Sequence, residues 1–307
     1  MILCSDIIFN ETGHVFCAHA PEEKTEEDRA MPEYNGIDPS CPFDVSEYTS
    51  RPAPGTAKGR VDVRRILAEA DEYYAKNDPA GAEKMLEEQL GIAEELNDRE
   101  GKLGILNELL GCYRKTGNAE AGLRTAGEST KLVSGLGMEG TVTAGTVYLN
   151  AATTMREFGR AEDAVRYYDT AARAYAANLD PGDYRFAGLY NNYAACMEAC
   201  GNHRSAEDYY KRALAVISRL RDCALEEAVT CVNLACMYGD LDSEDERIEE
   251  YLMRAKRLFD REDVPRDGYY AFNAMKCVDA FSHFGFFRDA KELRLRAEEI
   301  YGILQKS

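Results

Sequence analysis

The sequence contains no tryptophan, only four histidines, and fewer basic residues than acidic ones. Its 37 Lys and Arg residues, set against 55 Asp and Glu, give a formal net charge of −18. Nucleic acids require a basic footprint over their phosphates, and anionic membrane surfaces attract basic segments. The charge therefore argues against nucleic acid and membrane as partners, and it favours a protein or peptide ligand that is neutral or basic overall.

Several signals of other protein classes are also missing from the sequence. No stretch approaches 18 consecutive apolar residues, so no membrane span is predicted. The first residues lack the basic and long apolar regions of a secretory signal. Phosphate-binding loops, nucleophile elbows and His-Glu-x-x-His metal motifs are not found. We therefore expect a soluble, cytoplasmic protein that is not an enzyme.

The ten cysteines do not suggest a disulfide framework. Most of them fall within helical periodicity, as Cys112, Cys231 and Cys277 do. Buried, reduced thiols in a cytoplasmic protein explain this placement better than disulfides do.

Two groups of cysteine and histidine could hold a metal ion in principle. Cys196, Cys200 and His203 have helical spacing, but the histidine follows a predicted turn and a fourth ligand is missing. The other group comprises Cys4, His14, Cys17 and His19. Its spacing is irregular. We expect core packing for the first group, and the irregular spacing and uncertain start argue against a site in the second, so the sequence predicts no metal site and no cofactor.

The most informative feature is a pair of similar blocks that begin at Tyr148 and Tyr190. They read YLNAATTMREFGRAEDAVRYYDTAARAY and YNNYAACMEACGNHRSAEDYYKRALAVI, at an offset of 42 residues. A fixed period in this range is typical of stacked repeats. Each repeat leaves one face of its helices uncovered and therefore needs a neighbour.

Within one block, the apolar spacing predicts a helical hairpin. Tyr148, Ala151, Ala152 and Met155 recur at i, i+3, i+4 and i+7, which marks one face of a helix. Gly159 supplies a left-handed stop before the second helix. Extended along the chain, this pattern predicts about six hairpins between residues 61 and 305.

These residues resemble the tetratricopeptide (TPR) repeat. Tyr148-x2-Ala151-Ala152-x2-Met155, followed by Ala164-x3-Tyr168, fits the size pattern of that motif. The long 42-residue period, together with the segment LDPGDYRFAGLYNNYA, is similar to the repeats of kinesin light chains. The resemblance implies an all-α fold, a right-handed α-solenoid whose first helices line a concave, peptide-binding groove.

Residues 1–60 differ from the rest of the chain because they are rich in proline and poor in periodic apolar residues. Such a composition cannot bury a core of its own, so we expect an irregular N-terminal extension. Residues 7–16 could form a short β-hairpin with a glycine-containing turn. Met31 is an alternative start, which would leave residues 1–30 outside the protein.

An asparagine recurs at nearly the same place on successive first helices. The series is Asn107, Asn150, Asn192 and Asn233, with Asn191 beside one member. A side-chain amide both donates and accepts hydrogen bonds, so it can hold an extended peptide backbone without reading its sequence. The resemblance places these residues in the groove. Alternatively, the amides cap or bridge neighbouring helices.

Charged residues follow the same positions. Arg114 and Arg156 are 42 residues apart, and the later equivalents are Glu198 and, approximately, Asp240. This order predicts a groove that is basic at one end and acidic at the other. A solvated face with unrelated charges is the alternative.

The sequence thus favours a non-catalytic scaffold or adaptor that binds peptides or proteins. The main alternative is a peptide-sensing regulator whose array changes curvature on binding. A third hypothesis is an enzyme with a metal site near the N-terminal cysteines and histidines.

Overall fold

The computed structural model describes residues 59–75, 78–220 and 223–304. The expectations for residues 1–58 lie outside this part of the chain. They concern the irregular extension, the β-hairpin at 7–16, the start at Met31 and the metal group of Cys4, His14, Cys17 and His19.

The described residues fall into two compact units, 59–185 and 186–304, which we call the N-terminal unit and the C-terminal unit. The helices of the first are α1 Val63–Ala75, α2 Pro79–Glu95, α3 Arg99–Thr116, α4 Ala119–Gly135, α5 Val142–Glu157 and α6 Ala161–Asn178. Those of the second are α7 Arg185–Ala199, α8 His203–Ile217, α9 Ala224–Leu241, α10 Glu246–Phe259, α11 Gly268–His283 and α12 Phe287–Leu304. The helix α7 begins at the last residue before the boundary.

These twelve helices form six hairpins, and the described residues contain no strand. The all-α class and the number of hairpins predicted from the sequence are confirmed. We call the odd-numbered helices the first helices and the even-numbered ones the second helices. None of the described helices combines the length and the apolar composition that crossing a membrane requires.

The helix ends follow from local residue chemistry. Asp98 accepts a hydrogen bond from the Gly101 amide at the start of α3, and Asn118 caps α4 in the same way. The predicted turn glycines at 159 and 201 adopt positive φ values of 76° and 72°. Only glycine enters this region without a steric cost, so these residues end the first helices of two hairpins.

The core lies where the first and second helices of each hairpin meet. Ala164 and Ala206, predicted at close helix crossings, are fully buried. Tyrosines such as Tyr168 and Tyr210 fill the wider gaps and are also buried. Small and large residues therefore alternate along the second helices, as close packing requires.

Candidate functional site

All the predicted site residues lie on first helices. They are Asn107 and Arg114 on α3, Asn150 and Arg156 on α5, Asn191 and Asn192 on α7, and Asn233 on α9. The five asparagines are only 2% to 5% exposed. The structure thus places their side chains within packed first helices rather than on an open surface.

In the N-terminal unit, polar side chains bridge two neighbouring first helices. Asn150 Nδ2 donates to Asn107 Oδ1 at 2.9 Å. Arg114 Nη1 donates to Thr154 Oγ1 at 2.7 Å and to the backbone carbonyl of Asn150 at 3.4 Å. Because these bonds join α3 to α5, Asn107 and Asn150 do bridge helices, as the alternative interpretation of the series predicted.

In the C-terminal unit, one asparagine of the adjacent pair makes a similar bridge. Asn191 Nδ2 donates to Thr230 Oγ1 on α9 at 3.1 Å and to the Ala187 carbonyl at 3.2 Å. Asn192 Nδ2 donates only within its own helix, to the Gly188 carbonyl at 3.0 Å. The neighbouring asparagines therefore play different structural roles.

Four of these asparagines each have a side-chain oxygen that accepts no hydrogen bond from the described residues. The Oδ1 atoms of Asn150, Asn191, Asn192 and Asn233 are buried and have no hydrogen-bond partner in the described part of the chain. A buried carbonyl without a donor costs free energy, and native structures contain few of them. These four oxygens lie on the first helices α5, α7 and α9, where each can accept a hydrogen bond from a further donor.

A further member of the series was missed by the sequence analysis. Asn273 on α11 is buried, and its Nδ2 donates to the Tyr269 carbonyl at 2.8 Å. It lies 40 residues after Asn233, so continuation of the repeat would have found it. Thr154 and Thr230 accept bridging hydrogen bonds, from Arg114 and Asn191. No repeat pattern in the sequence marked these two threonines.

The two predicted arginines are also buried. Arg114 is 2% exposed, is hydrogen-bonded to neutral groups, and its Nε has no hydrogen-bond partner among the described residues. Arg156 Nη2 lies 3.4 Å from a carboxylate oxygen of Glu157. Glu198 accepts a hydrogen bond from the Tyr210 hydroxyl, and Asp240 is exposed. The proposed change from a basic to an acidic end of a groove stays a prediction.

An ionisable cluster lies next to Arg114 in the N-terminal unit. Burial raises the pKa of the Glu108 carboxyl, although the positive charge of Lys115 opposes this shift. The Tyr74 hydroxyl donates to Glu108 at 3.2 Å, and Lys115 Nζ lies 3.2 Å from the centroid of the Tyr74 ring. The negative charge of Asp71 also raises the pKa of Glu108, whereas the hydrogen bond from Tyr74 lowers it.

An open depression of about 370 Å³ lies elsewhere in the N-terminal unit. Its lining residues are Tyr148, Arg166, Tyr167, Asp169, Thr170 and Arg173. None of the predicted site residues contributes to it. Since its polar side chains bond mainly to each other, as Arg173 does to Thr170 at 2.9 Å, it is a weaker candidate site than the asparagine series.

Three of the described cysteines are too buried to be activated nucleophiles. Burial raises the pKa of the Cys112 and Cys231 thiols to about 12, and it raises the pKa of Cys277 as well. Such thiols stay protonated at neutral pH and are poor nucleophiles. Within 59–75, 78–220 and 223–304, no group of three or more His, Cys, Asp and Glu could hold a metal ion, including the one around Cys196.

Comparison with known proteins gives the fold. No protein-family model matches the chain, and no curated protein matches it by sequence. The crystal structure of BtubC (BKLC) from P. vanneervenii is 18% identical, with a TM-score of 0.52, over 81% of this chain and 94% of that one. NprR in complex with its cognate peptide NprX is 14% identical, with a TM-score of 0.51, over 81% and 72%.

A third similar structure is a Podosopora anserina protein of nearly identical TPR-like repeats of the kinesin light chain type. It is 16% identical, with a TM-score of 0.49, over 66% of this chain and 96% of that one. The resemblance to TPR-like repeat proteins predicted from the sequence is confirmed, and at these identities it concerns the fold alone.

Proposed function

We propose that this chain is a non-catalytic, cytoplasmic scaffold that binds peptides or proteins along the first helices of its units. The observation that carries the proposal is the set of buried asparagine oxygens without donors at Asn150, Asn191, Asn192 and Asn233. In three of the four, the amide N–H₂ group is already held by the protein, which fixes the orientation of the oxygen.

The chemistry fits a peptide backbone. An extended peptide presents N–H groups at regular intervals along alternate sides, and each can donate to a fixed carbonyl oxygen. Such bonds would satisfy the asparagine oxygens whatever the side chains of the ligand. The net charge of −18 favours ligands that are neutral or basic overall.

The fold is compatible with this role, because NprR, of similar fold, was crystallised with its cognate peptide. A peptide-sensing regulator would use the same surface and would also change its conformation on binding. Small-angle X-ray scattering with and without a bound peptide separates the two, since a scaffold keeps its radius of gyration.

The burial of the oxygens has a kinetic consequence. A ligand must displace the groups that cover them, and association that requires such a change is slower than ordinary docking. We therefore expect association rate constants below ~10⁵ M⁻¹s⁻¹ for peptides that bind this surface.

The test begins with a peptide selected from a displayed random library against the full chain. Methylation of single backbone nitrogens along that peptide removes one N–H donor at a time. We expect a few positions to lose about two- to tenfold in affinity, the range for one neutral hydrogen bond. Asn192→Ala should lose a similar factor, and it should remove the effect of methylation at one position only.

Asn178→Ala is the control. Asn178 Nδ2 donates to the Ala174 carbonyl four residues earlier, as Asn192 does to Gly188, but Asn178 is exposed on a second helix and also donates to the Gly140 carbonyl at 2.7 Å. Peptides that bind Asn178→Ala and Asn192→Ala equally well, or that tolerate every N-methyl group, would show that the asparagine oxygens do not receive the ligand.

A further inference from the structure

The last helix of the C-terminal unit exposes two large apolar side chains on one face. Phe287 is 70% exposed and Leu295 is 54% exposed. Lys291, Glu298 and Gly302 lie on the same narrow stripe of α12, because they follow Phe287 at intervals of three or four residues. We call this stripe the α12 face. Two exposed apolar side chains on one helix face can form the apolar part of an interaction surface once a partner covers them.

The earlier hairpins show what this face does. Lys256, 42 residues before Glu298, forms an ion pair at 3.3 Å with a carboxylate on α12. Glu207, 84 residues before Lys291, accepts a hydrogen bond from the Tyr238 hydroxyl of the following hairpin at 2.9 Å. Equivalent positions therefore contact the next hairpin inside the unit. On α12, Lys291 and Glu298 form no ion pair with any described residue.

The α12 face is complementary to itself. If two copies of α12 run antiparallel about a twofold axis between Arg294 and Leu295, each Lys291 faces the Glu298 of the other copy. Each Phe287 then faces Gly302, where a side-chain carbon would meet nothing within 4 Å. The glycine leaves room for the ring, and the stem of Arg294 can cover Leu295.

We propose that the α12 face joins two copies of this chain in a symmetric, antiparallel dimer. The same patch serves both copies, as in other twofold interfaces. Phe287 and Leu295 supply the apolar contact, and the two Lys291–Glu298 pairs fix the direction of the helices. A helix of 18 residues is about 27 Å long, so the interface is small and the dissociation constant is expected in the micromolar range.

The test uses two charge reversals in the full chain, followed by analytical ultracentrifugation over a range of concentrations. Lys291→Glu places two pairs of glutamates in contact, and Glu298→Lys places two pairs of lysines. Each variant alone should dimerise at least ~tenfold more weakly than the parent. An equimolar mixture of the two should dimerise as well as the parent, because every contact then joins opposite charges.

Leu295→Glu removes the apolar centre and should give a monomer at every concentration. Circular dichroism checks that all variants keep their helices, as expected for exposed positions. A parent chain that is monomeric throughout, or a mixture no better than its components, would overturn the proposal. Assemblies that grow with concentration and persist in Leu295→Glu would mean that another surface joins the copies.

Discussion

The two units share the same helical hairpin but stabilise it with different chemistry. In the N-terminal unit, neutral polar groups and a close glycine contact join α5 to its neighbours, and carboxylates bridge other helices, as Glu108 does with the Tyr74 hydroxyl. In the C-terminal unit, carboxylates hold tyrosine hydroxyls, lysines and arginines of neighbouring helices, beside one neutral bridge from Asn191 to Thr230. One repeat pattern can therefore be satisfied by buried neutral bonds or by partly exposed ionic ones, and the two solutions respond differently to mutation and to pH.

In the N-terminal unit, the neutral contacts centre on α5. Asn150 bonds to Asn107, and Thr146 Oγ1 lies 2.9 Å from the Tyr175 hydroxyl. Gly145 lies against the Tyr175 ring, and a Cβ there would come to 2.7 Å from a ring carbon. These groups are neutral, so their interactions do not depend on salt or on moderate changes of pH.

In the C-terminal unit, two carboxylates, Glu207 and Asp260, form several of the contacts. Glu207 accepts from Tyr238 and pairs with Lys211 at 2.5 Å, and this lysine bond lowers the pKa of Glu207. Burial opposes ionisation of Asp260, but hydrogen bonds from Lys256 and Arg296 outweigh it and lower the pKa. Both carboxylates therefore stabilise the folded state when they are ionised.

The largest expected effect tests the neutral bridge. Asn150→Ala removes the donor to Asn107 and leaves a buried acceptor unsatisfied, which should cost ~1–3 kcal/mol of unfolding free energy. Asn192→Ala is the control, because that amide donates only to its own helix. It should cost less than ~1 kcal/mol, since alanine is also the better helix former. Urea unfolding measures both values, and equal losses would show that the bond between α3 and α5 contributes nothing specific.

The sequence predicted the position of these asparagines but not their contacts. The 42-residue period and the turn glycines located the first helices, and hence Asn107 and Asn150. Which neighbouring helix an amide reaches depends on small rotations that periodicity does not record. For this reason the alignment placed Asn192 in the series, whereas Asn191 makes the bridge to Thr230.

The division into units was not predicted either. The two most similar blocks, beginning at Tyr148 and Tyr190, lie in different units. Similarity of sequence reflects the packing inside a hairpin, where Ala164 and Ala206 occupy equivalent crossings. It does not show how strongly one hairpin contacts the next, because those contacts involve variable side chains. The repeat pattern also did not predict that the asparagines are buried.

The next largest effect on stability comes from the close contact between Gly145 and the Tyr175 ring. Gly145→Ala gains helix propensity but drives a methyl group into the fully buried Tyr175 ring, so the net cost should be ~1–2 kcal/mol. Gly188→Ala in the C-terminal unit is the matched control, because a Cβ there meets nothing within 4 Å. It should raise stability by about 0.5–1 kcal/mol. Thermal melting gives both signs, and a stabilised Gly145→Ala would mean that the ring moves aside freely.

The smallest effect is a difference in the response of the two units to acid. The pKa of Glu108 in the N-terminal unit is raised above its usual 4.5, so the folded state binds the proton more readily than the unfolded one. Stability from this group is therefore lost as pH rises from its usual pKa through the raised one. The lowered pKa values of Glu207 and Asp260 act in the opposite direction, since their contribution is lost as pH falls below about 4.

Hydrogen–deuterium exchange resolved to α3 and α9 should show these opposite trends once intrinsic exchange rates are corrected for pH. As pH falls from neutral towards the ordinary pKa of a glutamic acid, protection of α3 should rise while that of α9 stays level. Below about pH 4, protection of α9 should fall. Glu108→Gln should abolish the rise in α3 and leave α9 unchanged, whereas Glu207→Gln should weaken only the fall in α9. If either substitution alters both helices equally, the two units do not rely on separate ionisable groups, and the contrast between neutral and ionic stabilisation fails.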